Sequence, residues 1–173
     1  RVYLESIKTE SYDSVNVLLN KIEKDEIIHY KNIAIKQKGN VVSELSNDEE
    51  ISILVEYAIL EKTLGFRLIL LIYDNYDNLI SKHFFDELND IGTNLEAGNY
   101  VTAFTIPENV LIDGTYTLKI KSGIHNVRMC KPVDGIVLQL NIVETGFIKR
   151  KRFTPNDKGL ITLPLNITTQ NII

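Results

Sequence analysis

One cysteine, Cys130, stands in 173 residues, so no internal disulfide framework holds this chain together. Nor does it contain an apolar run long enough to cross a bilayer as a helix. The longest, Leu68 to Tyr73, is the length of a strand. No signal peptide is visible, and the start at Arg1 reads as the beginning of an excised fragment. Positive charge is also short: 19 Lys and Arg against 23 Asp and Glu give a net charge of −4. A general nucleic-acid surface needs the opposite balance, so nucleic acid is not expected as a partner.

The motifs of common catalysis are missing as well. No glycine is followed by lysine, which excludes the phosphate-cradling P-loop. No G-x-S-x-G elbow presents a serine nucleophile. His29, His83 and His125 are far apart, and none has a partner at zinc-site spacing, so no metal site is expected. Cys130, between Met129 and Lys131, reads as an inert thiol. Carboxylates are plentiful, but no pair stands out as an acid and base couple. The turn Asp74 to Asn78 offers oxygens to calcium, yet Tyr76 fills a position where an EF-hand loop places a side-chain ligand.

What is present is alternation with a period of two. Asn99 to Ile142 carries Phe104 and Ile106, then Tyr116, Leu118 and Ile120, then Ile136, Leu138, Leu140 and Ile142. Pro107, Asp113-Gly114, Ser122-Gly123 and Asp134-Gly135 separate the runs. That is the pattern of half-buried antiparallel strands joined by turns. Upstream, Ile27 to Gln37 reads as a first strand with Ile33 and Ile35 inward, and Val41 to Glu44 as a short one. Ile51, Ile53, Val55 and Tyr57 alternate with Ser52, Leu54, Glu56 and Ala58. Phe66 to Tyr73 is apolar nearly throughout, which predicts a strand buried on both faces. Asp74 to Asn78 reads as a hairpin turn, because Asp and Asn tolerate left-handed backbone and bond their own chain.

Three segments read differently. Val15, Leu18, Leu19 and Ile22 fall on one stripe of a short helix, with Asp13 or Ser14 as its cap. Ser81 to Gly98 has no clear period and reads as a long irregular loop. Lys149 to Arg152 reads as a basic strand edge before a last strand, Leu160 to Ile167. Seven to nine short strands and almost no helix predict an all-β antiparallel sandwich, immunoglobulin-like or jelly-roll-like, with a short N-terminal helix. The expected organisation is a linker and helix over residues 1–26, the sandwich over 27–144, and an extension carrying the terminal strand over 145–173. An unpaired terminal strand invites a second copy of the chain, so a homodimer is expected, with exchange of the terminal strand left open.

Sugars present hydroxyls to polar side chains and apolar ring faces to aromatic ones. Arg67, Tyr73, His83, Phe85, Tyr100, His125 and Arg128 are the residues suited to that chemistry. Each has a plainer reading, as core aromatic or as ordinary surface group.

Phe104-Thr105-Ile106-Pro107, then Val110 to Leu118, His125, and Asp134-Gly135 leading into Ile136 to Ile142, resemble the C-terminal domain of Wzt proteins. Those are the ATP-binding subunits of ABC exporters for O-antigen and related polysaccharides. Glu49 to Tyr57, Phe66 to Asp74 and Gly159 to Ile167 are similar to strands of the same family, although Asn166-Ile167 stands where a tryptophan is common. The resemblance spans about Ile27 to Ile167. It implies a dimeric, non-catalytic carbohydrate-binding sandwich that reads the non-reducing end of a polysaccharide and couples chain completion to export. It also implies an upstream domain holding ATP and Mg, the exporter's transmembrane subunit as partner, and a cytoplasmic place at the inner membrane. It carries no binding residue over, since Pro107, Gly114 and Tyr116 are scaffold positions. Two other readings remain: an immunoglobulin-like spacer or dimerisation module without a ligand, and a sugar-modifying domain.

Overall fold

The computed structural model describes residues 18–42, 44–87 and 94–143. The helix cap, the basic run at 149–152 and the terminal strand at 160–167 lie outside them. Among the described residues ten strands follow in order: β1 Ile28–Gln37, β2 Asn40–Val41, β3 Leu45–Ser46, β4 Ile51–Ile59, β5 Phe66–Tyr73, β6 Leu79–Phe84, β7 Gly98–Ile106, β8 Gly114–Ile124, β9 Arg128–Met129 and β10 Ile136–Val143. They form two sheets, one ordered β2-β1-β4-β7 and the other β3-β10-β8-β5-β6, with β9 paired to β8. All pairings are antiparallel except β3 with β10. The molecule is an all-β sandwich of the immunoglobulin-like kind, with a short helical turn at residues 18–21.

Alternation places the core. Ile51, Ile53, Val55, Tyr57 and Ile59 of β4 are all buried, while the residues between them are half-buried on the outer face. From the facing sheet come Phe66, Leu68, Leu70 and Ile72 of β5, Tyr116, Leu118 and Ile120 of β8, and Ile136, Leu138, Leu140 and Ile142 of β10. Leu18 and Leu19 dock on the same core with Ile22 against it, so the part of the expected helical stripe that lies within the described residues is used for packing. Wholly buried leucines of this kind cost about 2–5 kcal/mol when cut back to alanine.

Polar groups inside the sandwich are tied to backbone, as burial requires. Gln37 closes the end of β1: its Nε2 donates to the carbonyls of Ser46 (2.6 Å) and Glu49 (3.2 Å), and its Oε1 accepts from Ser46 N–H (2.8 Å). The Tyr116 hydroxyl donates back to the Ile112 carbonyl at 3.1 Å, the corner device of immunoglobulin-like sandwiches. The expected turn at Asp74 is formed. Its Oδ1 accepts the N–H groups of Tyr76 and Asn78, each at 2.8 Å, and its Oδ2 accepts from Asn78 Nδ2. Both carboxylate oxygens are thereby used by the turn.

Two readings are corrected. β5 is not buried on both faces: Arg67, Ile69 and Tyr73 are half-buried outside, and only Leu71 of the outward set is buried. The segment expected to be irregular from Ser81 begins inside a strand, since β6 runs to Phe84. The reason is the same in both cases. β6 pairs along β5 at the edge of the sheet, so it needs no apolar stripe of its own, and the outer faces of both strands look toward solvent among the described residues.

Candidate functional site

The two sheets end on the same side in edge strands, β6 in one and β7 in the other. Among the described residues the sandwich is open between them, and the gap is a cleft of about 460 Å3. Antiparallel register decides what lines it. His83 lies opposite Leu70 and Ser81 opposite Ile72, so both polar residues share the inward face of two core residues. Across the gap, Thr102, Phe104 and Ile106 face in from β7, opposite Val55, Ile53 and Ile51. The floor is apolar, from Leu70, Ile72, Phe85, Phe104, Ile106 and Leu111, and the polar groups sit along the rim. An apolar cavity of this size with a few convergent polar groups is the usual form of a ligand site.

The rim on the β6 side is a connected chain. Ser81 Oγ and His83 Nε2 share a short hydrogen bond of 2.5 Å, and His83 Nδ1 meets Glu87 Oε2 at 3.1 Å. Glu87 Oε1 accepts the N–H of Phe84 at 3.0 Å. That backbone hydrogen bond is the largest influence, and together with the His83 contact it outweighs burial and holds the Glu87 carboxyl below its ordinary range. Serine, imidazole and carboxylate stand in the order used by serine hydrolases, which also aim backbone N–H groups at the reacting oxyanion. Here the Phe84 N–H is given to Glu87. The network fixes the imidazole ring at the mouth of the cleft, where it and the hydroxyl of Ser81 can exchange hydrogen bonds with a hydroxylated ligand.

On the other face of β5 and β6 lies a second group. Lys119 Nζ sits 4.5 Å from the centre of the Tyr73 ring, and Lys82 Nζ 5.0 Å from that of Phe84. Arg67 Cζ is 4.9 Å from the same Phe84 ring, and its guanidinium is 3.8 Å from Asp86. Cations over ring faces gain from the ring quadrupole and keep their charge at the surface.

The seven residues singled out from sequence chemistry are spread over five places. His83 and Phe85 meet at the cleft, His83 on the rim and Phe85 on the floor. Phe85 is also a core residue, edge-on to Phe66 at 5.8 Å. Arg67 and Tyr73 lie on the outer face. Tyr100 stacks on Tyr57 at 5.8 Å and donates to the Glu96 carbonyl at 2.8 Å. His125 is exposed in the β8–β9 turn, where its N–H donates to Gly65. Arg128 is held by Asp25 and Glu26. Ser81, Lys82, Phe84, Glu87, Thr102 and Lys119 were not singled out. Their signal was available only once Leu79 to Phe84 was known to be a strand, because its alternation sends Ser81 and His83 one way and Lys82 and Phe84 the other.

Among the described residues, no group of three His, Cys, Asp or Glu side chains is placed to hold a metal ion, and no helix is long and apolar enough to cross a membrane. No protein-family model and no curated protein sequence matches the chain. Its structure is similar to the crystal structure of the C-terminal domain of wzt, with a TM-score of 0.61 and 13% identity, over 93% of this chain and 100% of that one. It is also similar to a Niemann-Pick type C2 protein from Japanese carpenter ant, with a TM-score of 0.47 and 8% identity, over 71% of this chain and 98% of that one. At 13% identity the first likeness is one of fold.

Proposed function

We propose that this chain is a non-catalytic carbohydrate-binding domain of a polysaccharide ABC exporter, one that reads the non-reducing end of an O-antigen type glycan and couples chain completion to export. The observation that carries the reading is the agreement in fold with the C-terminal domain of wzt across 93% of this chain. The segments whose wording resembles that family are β4, β5, β7, β8 and β10 of the sandwich. The cleft supports the same reading. An end group enters an enclosed site that a mid-chain sugar cannot enter, and the β6–β7 cleft is enclosed by the two sheets and open at its rim. Its apolar floor suits a deoxygenated, methylated or acylated sugar end, and its rim of Ser81, His83 and Thr102 suits ring hydroxyls.

In this account the partners are the glycan, a second copy of the chain and, through a longer protein that supplies ATP and Mg, the exporter's transmembrane subunit. The place of action is the cytoplasmic side of the inner membrane. The domain needs no cofactor of its own. Calorimetric titration with the surface polysaccharide of the source cell, intact and with its terminal residue removed, tests the reading. Binding of the intact chain at least about tenfold tighter, or ~1.4 kcal/mol, is expected. Equal affinity for both, or none for either, refutes it. The alternative, a dimerisation module without a ligand, is the outcome if neither glycan binds.

A further inference from the structure

On the solvent side of the larger sheet, charge is sorted by sign. Residues directly opposite in an antiparallel pair share a face. Leu71 lies opposite Lys82 on one flank and Lys119 on the other, and Ile69 lies opposite Phe84 and Lys121. Arg67 and Tyr73 continue the outward set along β5, and Val137, Gln139 and Asn141 extend it across β10. Arg67, Lys82, Lys119 and Lys121 therefore stand on one face, and none of the outward strand positions of β5, β6, β8 and β10 is Asp or Glu. The whole chain carries −4, so this face runs against the balance of the protein.

The three lysines are held in place and not neutralised, and Arg67 has one loose ion pair with Asp86. Among the described residues Lys82, Lys119 and Lys121 have no carboxylate partner. Tyr73 and Phe84 seat the ammonium groups of Lys119 and Lys82. Arg67 reaches Asp86 only at 3.8 Å, and its buried Nε has no hydrogen-bond partner among the described residues. Strands lie about 4.8 Å apart, so Lys82 and Lys119, two strands from each other, are separated by roughly 10 Å at the backbone. Such a row of spaced cations divided by ring and aliphatic surface suits charge repeated along a polymer better than one compact anion.

We propose that this face carries the body of an acidic glycan, with carboxylate or phosphate groups on its repeating units, while the end of the same chain occupies the cleft. The inference rests on the glycan-binding reading above and adds the charge class of the glycan and a second contact surface. β6 joins the two places. Ser81 and His83 face the cleft and Lys82 and Phe84 the outer face, so a chain leaving the cleft across this edge strand meets the lysines next. A lipid surface is the rival partner for a basic patch, but it calls for protruding apolar side chains beside the charges. Here Ile69, Leu71 and Val137 between the lysines lie half-buried or buried, and the exposed Leu79 and Val143 stand singly at strand ends.

The test uses the purified chain with a polygalacturonate oligomer as acidic probe, a neutral dextran oligomer of equal length, and vesicles containing phosphatidylglycerol. Polygalacturonate is expected to bind, to shift amide signals of β5, β6 and β8, and to weaken steeply as salt rises. The double variant Lys82→Glu/Lys119→Glu should lose about tenfold or more in affinity, the Lys82→Gln/Lys119→Gln variant less, and Lys31→Gln, on β1 of the smaller sheet, nothing. Dextran binding as tightly as polygalacturonate, vesicles binding more tightly than it, or undiminished affinity in the Glu variant would overturn the proposal. Absence of polygalacturonate binding together with end-specific binding of the source polysaccharide defeats this inference alone. Polygalacturonate binding with no preference for an intact glycan end defeats the end-recognition reading and leaves the charged face standing.

Discussion

Arg128 grips Asp25 with both terminal nitrogens, at 2.8 and 3.1 Å, across 103 residues of sequence. The Asp25 side chain is only 2% exposed, and it also accepts the backbone N–H groups of Lys131 (2.9 Å) and Ile27 (2.8 Å). One carboxylate thus ties the segment entering β1 to the β9 strand and the chain just after it. Sequence chemistry placed Arg128 among sugar-binding candidates, whereas the folded chain commits its guanidinium to this clasp. Replacing Asp25 by Asn leaves a guanidinium and a backbone N–H facing an amide that cannot accept them all. A loss of roughly 2–4 kcal/mol is expected in urea unfolding, while glycan affinity stays unchanged.

The clasp also has a pH signature. Burial alone raises the Asp25 pKa, but the Arg128 hydrogen bonds, the two backbone donors and the Arg128 charge outweigh it and hold the group well below its ordinary value of 3.8. A carboxylate depressed in the folded state contributes stability that is fully present above its unfolded value and is lost as pH falls toward the folded one. The contribution should therefore be flat from neutral pH down to about 5 and decline below that. Melting curves of the Asp25→Asn variant should lack this part of the acid decline. An identical acid limb in both proteins would contradict the assignment.

Gly135 and Gly39 separate backbone strain from contact. Both have left-handed φ, +86° and +77°. A Cβ on Gly135 would stand 2.9 Å from the Ile120 carbonyl oxygen, and one on Gly39 would meet nothing within 4 Å. Gly135→Ala is expected to cost about 2–4 kcal/mol and Gly39→Ala about 1 kcal/mol, as read from chemical denaturation. Equal losses would mean that φ alone decides.

Much of the sandwich was legible because one residue pattern served one purpose. In β4, β8 and β10 every second residue faces the core, so Ile51 to Ile59 or Ile136 to Ile142 announces its own strand. Legibility failed where a strand has two jobs. Leu79 to Phe84 lies at a sheet edge beside a cleft, its inward positions are polar, and its outward ones mix Lys with Phe. No alternation of apolar with polar survives there, and the segment reads as loop. The cleft was invisible for a related reason: it is made by β6 and β7, which the sequence separates and only the pairing order brings to the same side. His83 and Phe85 were found by residue type, whereas Ser81 and Glu87 gain meaning only from their bonds to His83.

The expected homodimer rests on residues 145–173. Deleting residues 159–173 should convert a dimer into monomer or aggregate in sedimentation velocity. An unchanged dimer would refute exchange of the terminal strand.

The account stands on glycan-end recognition in the β6–β7 cleft. The most direct measurement is a 1H–15N shift map of the chain with the source polysaccharide, intact and end-trimmed. The predicted result is that the intact glycan perturbs Ser81, His83, Glu87 and Thr102 and that trimming abolishes those shifts. Unperturbed cleft residues, or the same cleft shifts with trimmed glycan, would contradict it.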